Sequence, residues 1–258
     1  MVMIDKLSYS SKLRYTSPCL KAFFAISTLI LTIAAHSFII SFITLIIMVS
    51  LTVFNSRNSY KYYFKLYVLP ISFLLLSTLT IIINITDEPI SPFRIPLFPV
   101  YLILKDDAIM YALNLIITSL GAVSCLYFLS LTTPITDILY VLKVIHCPNL
   151  IIELLMLIYR FIFILLNSAY SIFISQKCRL GNIDIKTSIK STSQLFAVLL
   201  IQALKRASIL YDAMESRCYD GTINVLHETN KATKKEITCV IVFEIILLMI
   251  YLTQRRFL

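Results

Sequence analysis

From Ala22 to Ser56 the chain runs 35 residues without an Asp, Glu, Lys or Arg. A single helix over that run would be about 50 Å long, against a hydrocarbon core of about 30 Å. The pattern therefore predicts a tight hairpin of two short spans, broken near His36-Ser37 with His36 at the outer turn. One steeply tilted helix is the alternative. A third uncharged run covers Leu66–Thr86, with Pro70 read near its start, where a missing N–H costs least. A fourth covers Ala108–Leu131, and its Gly121 permits close helix approach. A last run, Glu236–Leu252, is entered past Lys231, Lys234 and Lys235. Residues 87–107 hold Pro89, Pro92, Pro96 and Pro99 and read as an outer connector that touches the membrane surface through Phe93, Phe98 and Tyr101.

After Pro134 the pattern changes. Residues 132–235 hold 12 Lys/Arg and 7 Asp/Glu, yet stay apolar between the charges. Leu150–Lys177 carries Glu153, Arg160 and Asn167 at intervals of seven, which places them on one helical stripe. A long amphipathic helix lying against the membrane part explains that stripe; a spanning helix with buried charge is the costlier reading. A further helix over about Lys186–Tyr219 has an apolar core of only ten residues, 195–204, framed by Lys190 and by Lys205-Arg206. That core is too short to span and reads as packed on its neighbour. The chain thus divides into four transmembrane helices over 1–131, a charge-bearing helical region over 132–235, and a last transmembrane helix over 236–258. The fold class expected is an all-α polytopic bundle of about five spans, with long cytoplasmic helices inserted before the last.

Composition sets the broad class. The chain is 59% hydrophobic and 14% charged, with mean hydropathy +0.86, which is polytopic membrane usage rather than soluble globular usage. Its net charge of +9 is then first an orientation signal. Lys6, Lys12, Arg14 and Lys21 against Asp5 put the N-terminal tail in the cytoplasm, and the loop 57–65, RNSYKYYFK, beside it. Five spans would leave Arg255 and Arg256 outside, against the same rule. No basic run is interleaved with surface aromatics, so nucleic acid is not an expected partner. The six cysteines form no C-x-x-C, and His36, His146 and His227 fit no metal-ligand spacing, so no resident metal or cofactor is expected. The acidic pairs Asp87-Glu88 and Asp106-Asp107 read as solvated helix starts, not as the clustered carboxylates of a lipid-modifying enzyme. No G-x-x-x-x-G-K-[ST] is present, so any ATP hydrolysis must come from a partner.

The remaining signal sits at two helix ends. The chain has three glycines, and two of them follow arginines: Arg179 before Gly181 in YSIFISQKCRLG, and Arg217 before Gly221 in ALKRASILYDAMESRCYDG. Glycine beyond the last periodic residue supplies the left-handed position of a helix C-terminus. Each arginine would stand at the negative end of a helix dipole, which favours a cation.

These segments resemble the transmembrane T component of energy-coupling-factor transporters, and within it the CbiQ-type subunit of cobalt importers. The resemblance covers nearly the whole chain. The family start is seen as Asp5, Ser11-Lys12-Leu13-Arg14, Pro18 and Lys21; TPITDILYVLK with YRFIFILLNSAYSIFISQKCRLG looks like the first coupling helices, and KRASILYDAMESRCYDG like the second signature. The resemblance implies a non-catalytic subunit in the cell membrane of a prokaryote. Two ATP-binding cassette ATPase subunits would clamp the helix ends, and a membrane S component, CbiM-type with or without a CbiN-type companion, would be tilted in the lipid. The docking residues it implies are Arg179, within Cys178-Arg179-Leu180 and followed by Gly181, and Arg217, within Ser216-Arg217-Cys218 and followed by Gly221. The family's small-Arg-Gly form is departed from at both, where Leu180 and Cys218 stand in place of glycine. Cobalt is the implied cargo, with nickel or a vitamin, or a membrane scaffold without transport, as the alternatives.

Overall fold

The computed structural model describes residues 8–9, 11–55, 60–86, 94–97, 100–104, 108–221, 223 and 232–257. Asp5, Lys6, Pro89, Pro92, Phe93, Phe98, Pro99, the acidic pairs at 87–88 and 106–107, His227 and Lys231 lie outside them. The helices are α1 (Pro18–Ala35), α2 (Phe38–Asn55), α3 (Tyr60–Ile82), α4 (Ala108–Thr132), α5 (Ile135–Val144), α6 (Asn149–Cys178), α7 (Ile185–Glu215) and α8 (Lys234–Phe257), with a 3₁₀ turn at Lys12–Tyr15. The chain forms two compact units, residues 1–138 with 229–258, and residues 139–228.

The uncharged run 22–56 is two helices, with the break at 36–37. α1 starts with Pro18, whose absent N–H is an orphan at that position in any case. It ends where His36 turns left-handed, at φ 44°. The carbonyl this turn leaves free accepts a hydrogen bond from Asn114 Nδ2 of α4 at 2.9 Å.

α1, α2 and α4 pack closely because small and hydroxyl side chains face one another. A Cβ on Gly121 would come within 3.1 Å of the Ser41 carbonyl and 3.3 Å of Thr32 Cγ2 and Thr44 Oγ1. In lipid there is no hydrophobic drive between helices, so backbone approach of this kind supplies the attraction. Buried threonines satisfy themselves locally: Thr28, Thr32, Thr52 and Thr132 each donate to the carbonyl four residues back. Phe24, Phe128 and Phe243 interlock edge to face beside them, tying α8 to α1 and α4, and Ser27 of α1 donates to the Glu244 carboxylate of α8. α8 itself opens on half of a capping box, with Glu236 Oε2 accepting the Thr233 N–H at 3.0 Å.

Two features depart from the sequence reading. Pro70 lies inside α3, ten residues past Tyr60, not near the start of a helix. It therefore deprives the Leu66 carbonyl of its i+4 donor. The Tyr127 hydroxyl of α4 donates to that same carbonyl at 3.1 Å, so a neighbouring helix repairs the break. A small antiparallel sheet in the order β1-β3-β2 takes the end of the expected third span, as β1 (Ile83–Thr86), and part of the expected connector 87–107, as β2 (Arg94–Leu97) and β3 (Val100–Leu104). Its register pairs Ile83 with Leu104 and Arg94 with Ile103.

Among the described residues six helices can cross a membrane by length and composition: α1, α3, α4, α6, α7 and α8; α2 is a shorter apolar helix. α6, read from sequence as lying against the membrane part, and α7, read as too short in its apolar core to span and packed on its neighbour, meet the same measure. Large apolar side chains such as Ile26 and Ile30 of α1 and Ile245 and Met249 of α8 are about half exposed. A surface of that kind is lipid-facing rather than water-facing. The protein is a multi-pass membrane protein with a helix-bundle fold.

Candidate functional site

In the unit 139–228, α6 and α7 are antiparallel and joined at three levels. Gln176 Nε2 donates to the Ser191 carbonyl at 2.8 Å, Arg206 Nη2 donates to Ser168 Oγ at 3.2 Å, and Tyr219 Oη donates to Glu153 Oε2 at 2.6 Å. The paired numbers fall on one helix as they rise on the other, which is the register of a hairpin. Arg179 closes α6 at one end of it. Arg217, held near Glu153 by the third tie, lies at the opposite end, about 40 Å away by helical rise.

The two ends have the same backbone. At the first, Leu180 N–H donates to the Lys177 carbonyl and Gly181 N–H to the Gln176 carbonyl; at the second, Cys218 N–H donates to Glu215 and Tyr219 N–H to Met214. Both are complete Schellman turns. In each the arginine directly precedes the left-handed residue, Leu180 at φ 60° or Cys218 at φ 61°. Arg179 and Arg217 are exposed, as are Cys178, Ser216 and Cys218. Among the described residues neither guanidinium has an ion-pair or hydrogen-bond partner. The negative end of each helix dipole favours the guanidinium beside it, and each guanidinium presents an exposed planar fork of donors of the geometry a carboxylate can accept.

The glycines are not where the sequence reading put them. The left-handed positions belong to Leu180 and Cys218, one and three residues earlier than the glycines. Gly181 serves space instead: a Cβ there would meet Ser191 Oγ at 2.7 Å and the Gln176 carbonyl at 2.9 Å, and Ser191 Oγ donates to the Gly181 carbonyl at 2.8 Å. Gly221 is left-handed at φ 91°, with open space around it. An L-residue in the left-handed region costs roughly 1–2 kcal/mol. Leu180→Gly and Cys218→Gly should therefore each raise the stability of the detergent-solubilised protein, by about 1 kcal/mol, in a thermal unfolding assay. A loss of stability in either would contradict the strained turn.

The expected stripe is not one surface. Arg160 and Asn167 are exposed, whereas Glu153 is only 7% exposed and fully engaged. Besides Tyr219, its Oε1 accepts the Ile223 N–H at 2.9 Å. The carboxylate that takes the Tyr219 hydroxyl pushes that phenol up from its ordinary value. Seven-residue spacing marks the three as neighbours on α6 and carries no information about the segment that covers one of them.

Beside Arg179 a groove of about 660 Å³ runs between the two helices, lined by Ser171, Ser175 and Gln176 of α6 and Gln194 of α7. Ile172, Ala197 and Val198 complete the lining, which is mostly apolar with Arg179 as its one cation.

A family model described as CbiQ, cobalt transport protein, matches residues 10–228, which takes in the N-terminal turn, the bundle through α4 and both arginine turns. An uncharacterized protein of Methanocaldococcus jannaschii is 32% identical over 98% of this chain and 94% of its own length. The cobalt transport protein CbiQ of Salmonella typhimurium is 26% identical over 87% of this chain and all of its own. A protein of Methanocorpusculum labreanum, named as a fused CbiMQ cobalt transport protein, is 29% identical over 93% of this chain, which spans 40% of that longer protein.

Proposed function

We propose, since the chain belongs to the CbiQ family of cobalt transport proteins, that it is the membrane subunit through which ATP hydrolysis on two partner ATPases drives a CbiM-type S component. The observation that carries this reading is the pair of exposed arginines on matching turns at opposite ends of the α6–α7 hairpin. Each offers a planar fork suited to bidentate carboxylate contact and a charge that does not titrate away. Helices of 30 and 31 residues are stiff struts that can carry a displacement about 45 Å. The fusion seen in the Methanocorpusculum protein, whose name joins CbiM to CbiQ, supports a CbiM-type partner here. The chain hydrolyses nothing itself in this scheme and holds no metal; cobalt is cargo handled by the S component.

The reading requires both turns on the cytoplasmic side. Cys178 and Cys218 are exposed and adjacent to the arginines, so they report sidedness directly. With the other cysteines replaced, a membrane-impermeant maleimide should label both in inside-out vesicles and neither in right-side-out ones. Labelling of either from outside removes the proposed docking.

A further inference from the structure

Glu153 is an expensive residue to keep buried. A carboxylate at 7% exposure in an apolar helix persists only if its oxygens are satisfied. Both of its oxygens are taken by the segment that follows Arg217, 66 and 70 residues later in the chain: the Tyr219 hydroxyl on one and the Ile223 N–H on the other. The residues between them include Gly221, left-handed and with nothing near its missing Cβ. The Tyr219 hydroxyl and the Ile223 N–H, at the two ends of this strap, are thus both tied to one carboxylate of α6.

We propose that Glu153 is a positioning residue for Arg217. It fixes the strap 219–223 against the root of α6, so the arginine turn has one heading and a pull on Arg217 reaches α6 rather than being lost in a hinge. The inference rests on the reading that Arg217 docks a partner ATPase. The Arg179 turn has its own pin, the Ser191–Gly181 bond from α7, so each arginine is held by the helix it does not belong to.

The test uses the whole chain, alone and in the assembled transporter, with Glu153→Ala, Glu153→Gln and Tyr219→Phe. Hydrogen exchange at the Ile223 amide in the purified chain reads the pin without any partner. Glu153→Ala should speed it at least tenfold while the Gly181 amide is unchanged; Glu153→Gln, which keeps an acceptor, and Tyr219→Phe, which keeps the Ile223 bond, should have smaller effects and guard against a variant that does not fold. In the assembled transporter Glu153→Ala should lower cobalt taken up per ATP hydrolysed about tenfold, with the ATPases still retained through Arg179, and Glu153→Gln should restore most of it. Unchanged exchange in Glu153→Ala overturns the pin. Faster exchange with unchanged uptake per ATP overturns the positioning role. If Arg217→Ala leaves ATPase capture and uptake intact, the docking reading fails and takes the role with it, whatever the exchange shows.

Discussion

Changing Arg179 and Arg217 together to alanine is expected to abolish co-purification of the partner ATPases and cobalt uptake. Losing one member of a desolvated charge pair costs about 2–5 kcal/mol, which is roughly 30-fold to a few thousand-fold in affinity. Each single change should therefore weaken attachment severely, and the double change should leave nothing to measure. Both side chains are exposed, so the fold should be indifferent, within about 0.5 kcal/mol. Lysine at either place should restore only part of the loss, because it brings the charge without the fork. A double-alanine protein that still held its ATPases and moved cobalt would sink the assignment.

The second large effect is expected in the bundle, from Lys21→Met. Lys21 is 3% exposed, and its ammonium donates to the Leu13 carbonyl at 3.0 Å and to the Thr132 carbonyl at 3.2 Å. Thr132 is the last residue of α4, so its carbonyl is one of the orphans that every helix end leaves. The lysine satisfies it and fastens the N-terminal 3₁₀ turn to the point where the chain leaves α4. Methionine fills the volume and leaves the Thr132 oxygen without its donor. Hydrogen bonds to a charged group are worth about 1.5–3 kcal/mol, and a loss of about 2–3 kcal/mol in detergent unfolding is expected. Lys12→Met, at an exposed site in the same turn, should cost almost nothing. Equal losses in the two would mean that the amine is not what holds the turn.

Much of the bundle can be read from the chain because lipid thickness is a ruler. The run 22–56 is too long for one straight span, and the break duly falls at His36-Ser37. α4 and α6 begin and end within a residue of their expected limits, because charge and proline stop an apolar helix abruptly. Pro70 is misplaced by the same reasoning for the opposite cause: nothing in its neighbourhood announces that α3 starts six residues before the uncharged run, or that Tyr127 will repair the gap. The sheet at 83–104 pairs strands across intervening prolines, and proline argues locally against strand. The arginine turns are visible as helix ends. Which residue turns left-handed is not, since glycine is only the cheapest occupant of that position and Leu180 and Cys218 take it at a cost. Lys21 stands out as part of a family-like start, without any hint of the two carbonyls it serves. Glu153 is found by its spacing and misjudged in its surroundings, because heptad arithmetic sees one helix at a time.

The antiparallel course of α6 and α7 has a geometric consequence. Two helices that run in opposite directions and finish in the same turn are related by an approximate dyad, although no stretch of the chain is repeated. Homo-oligomeric machines present identical surfaces about a true twofold axis. A single, asymmetric polypeptide can therefore offer each half of such a machine the same handhold in the same orientation, with no need for a second copy of itself.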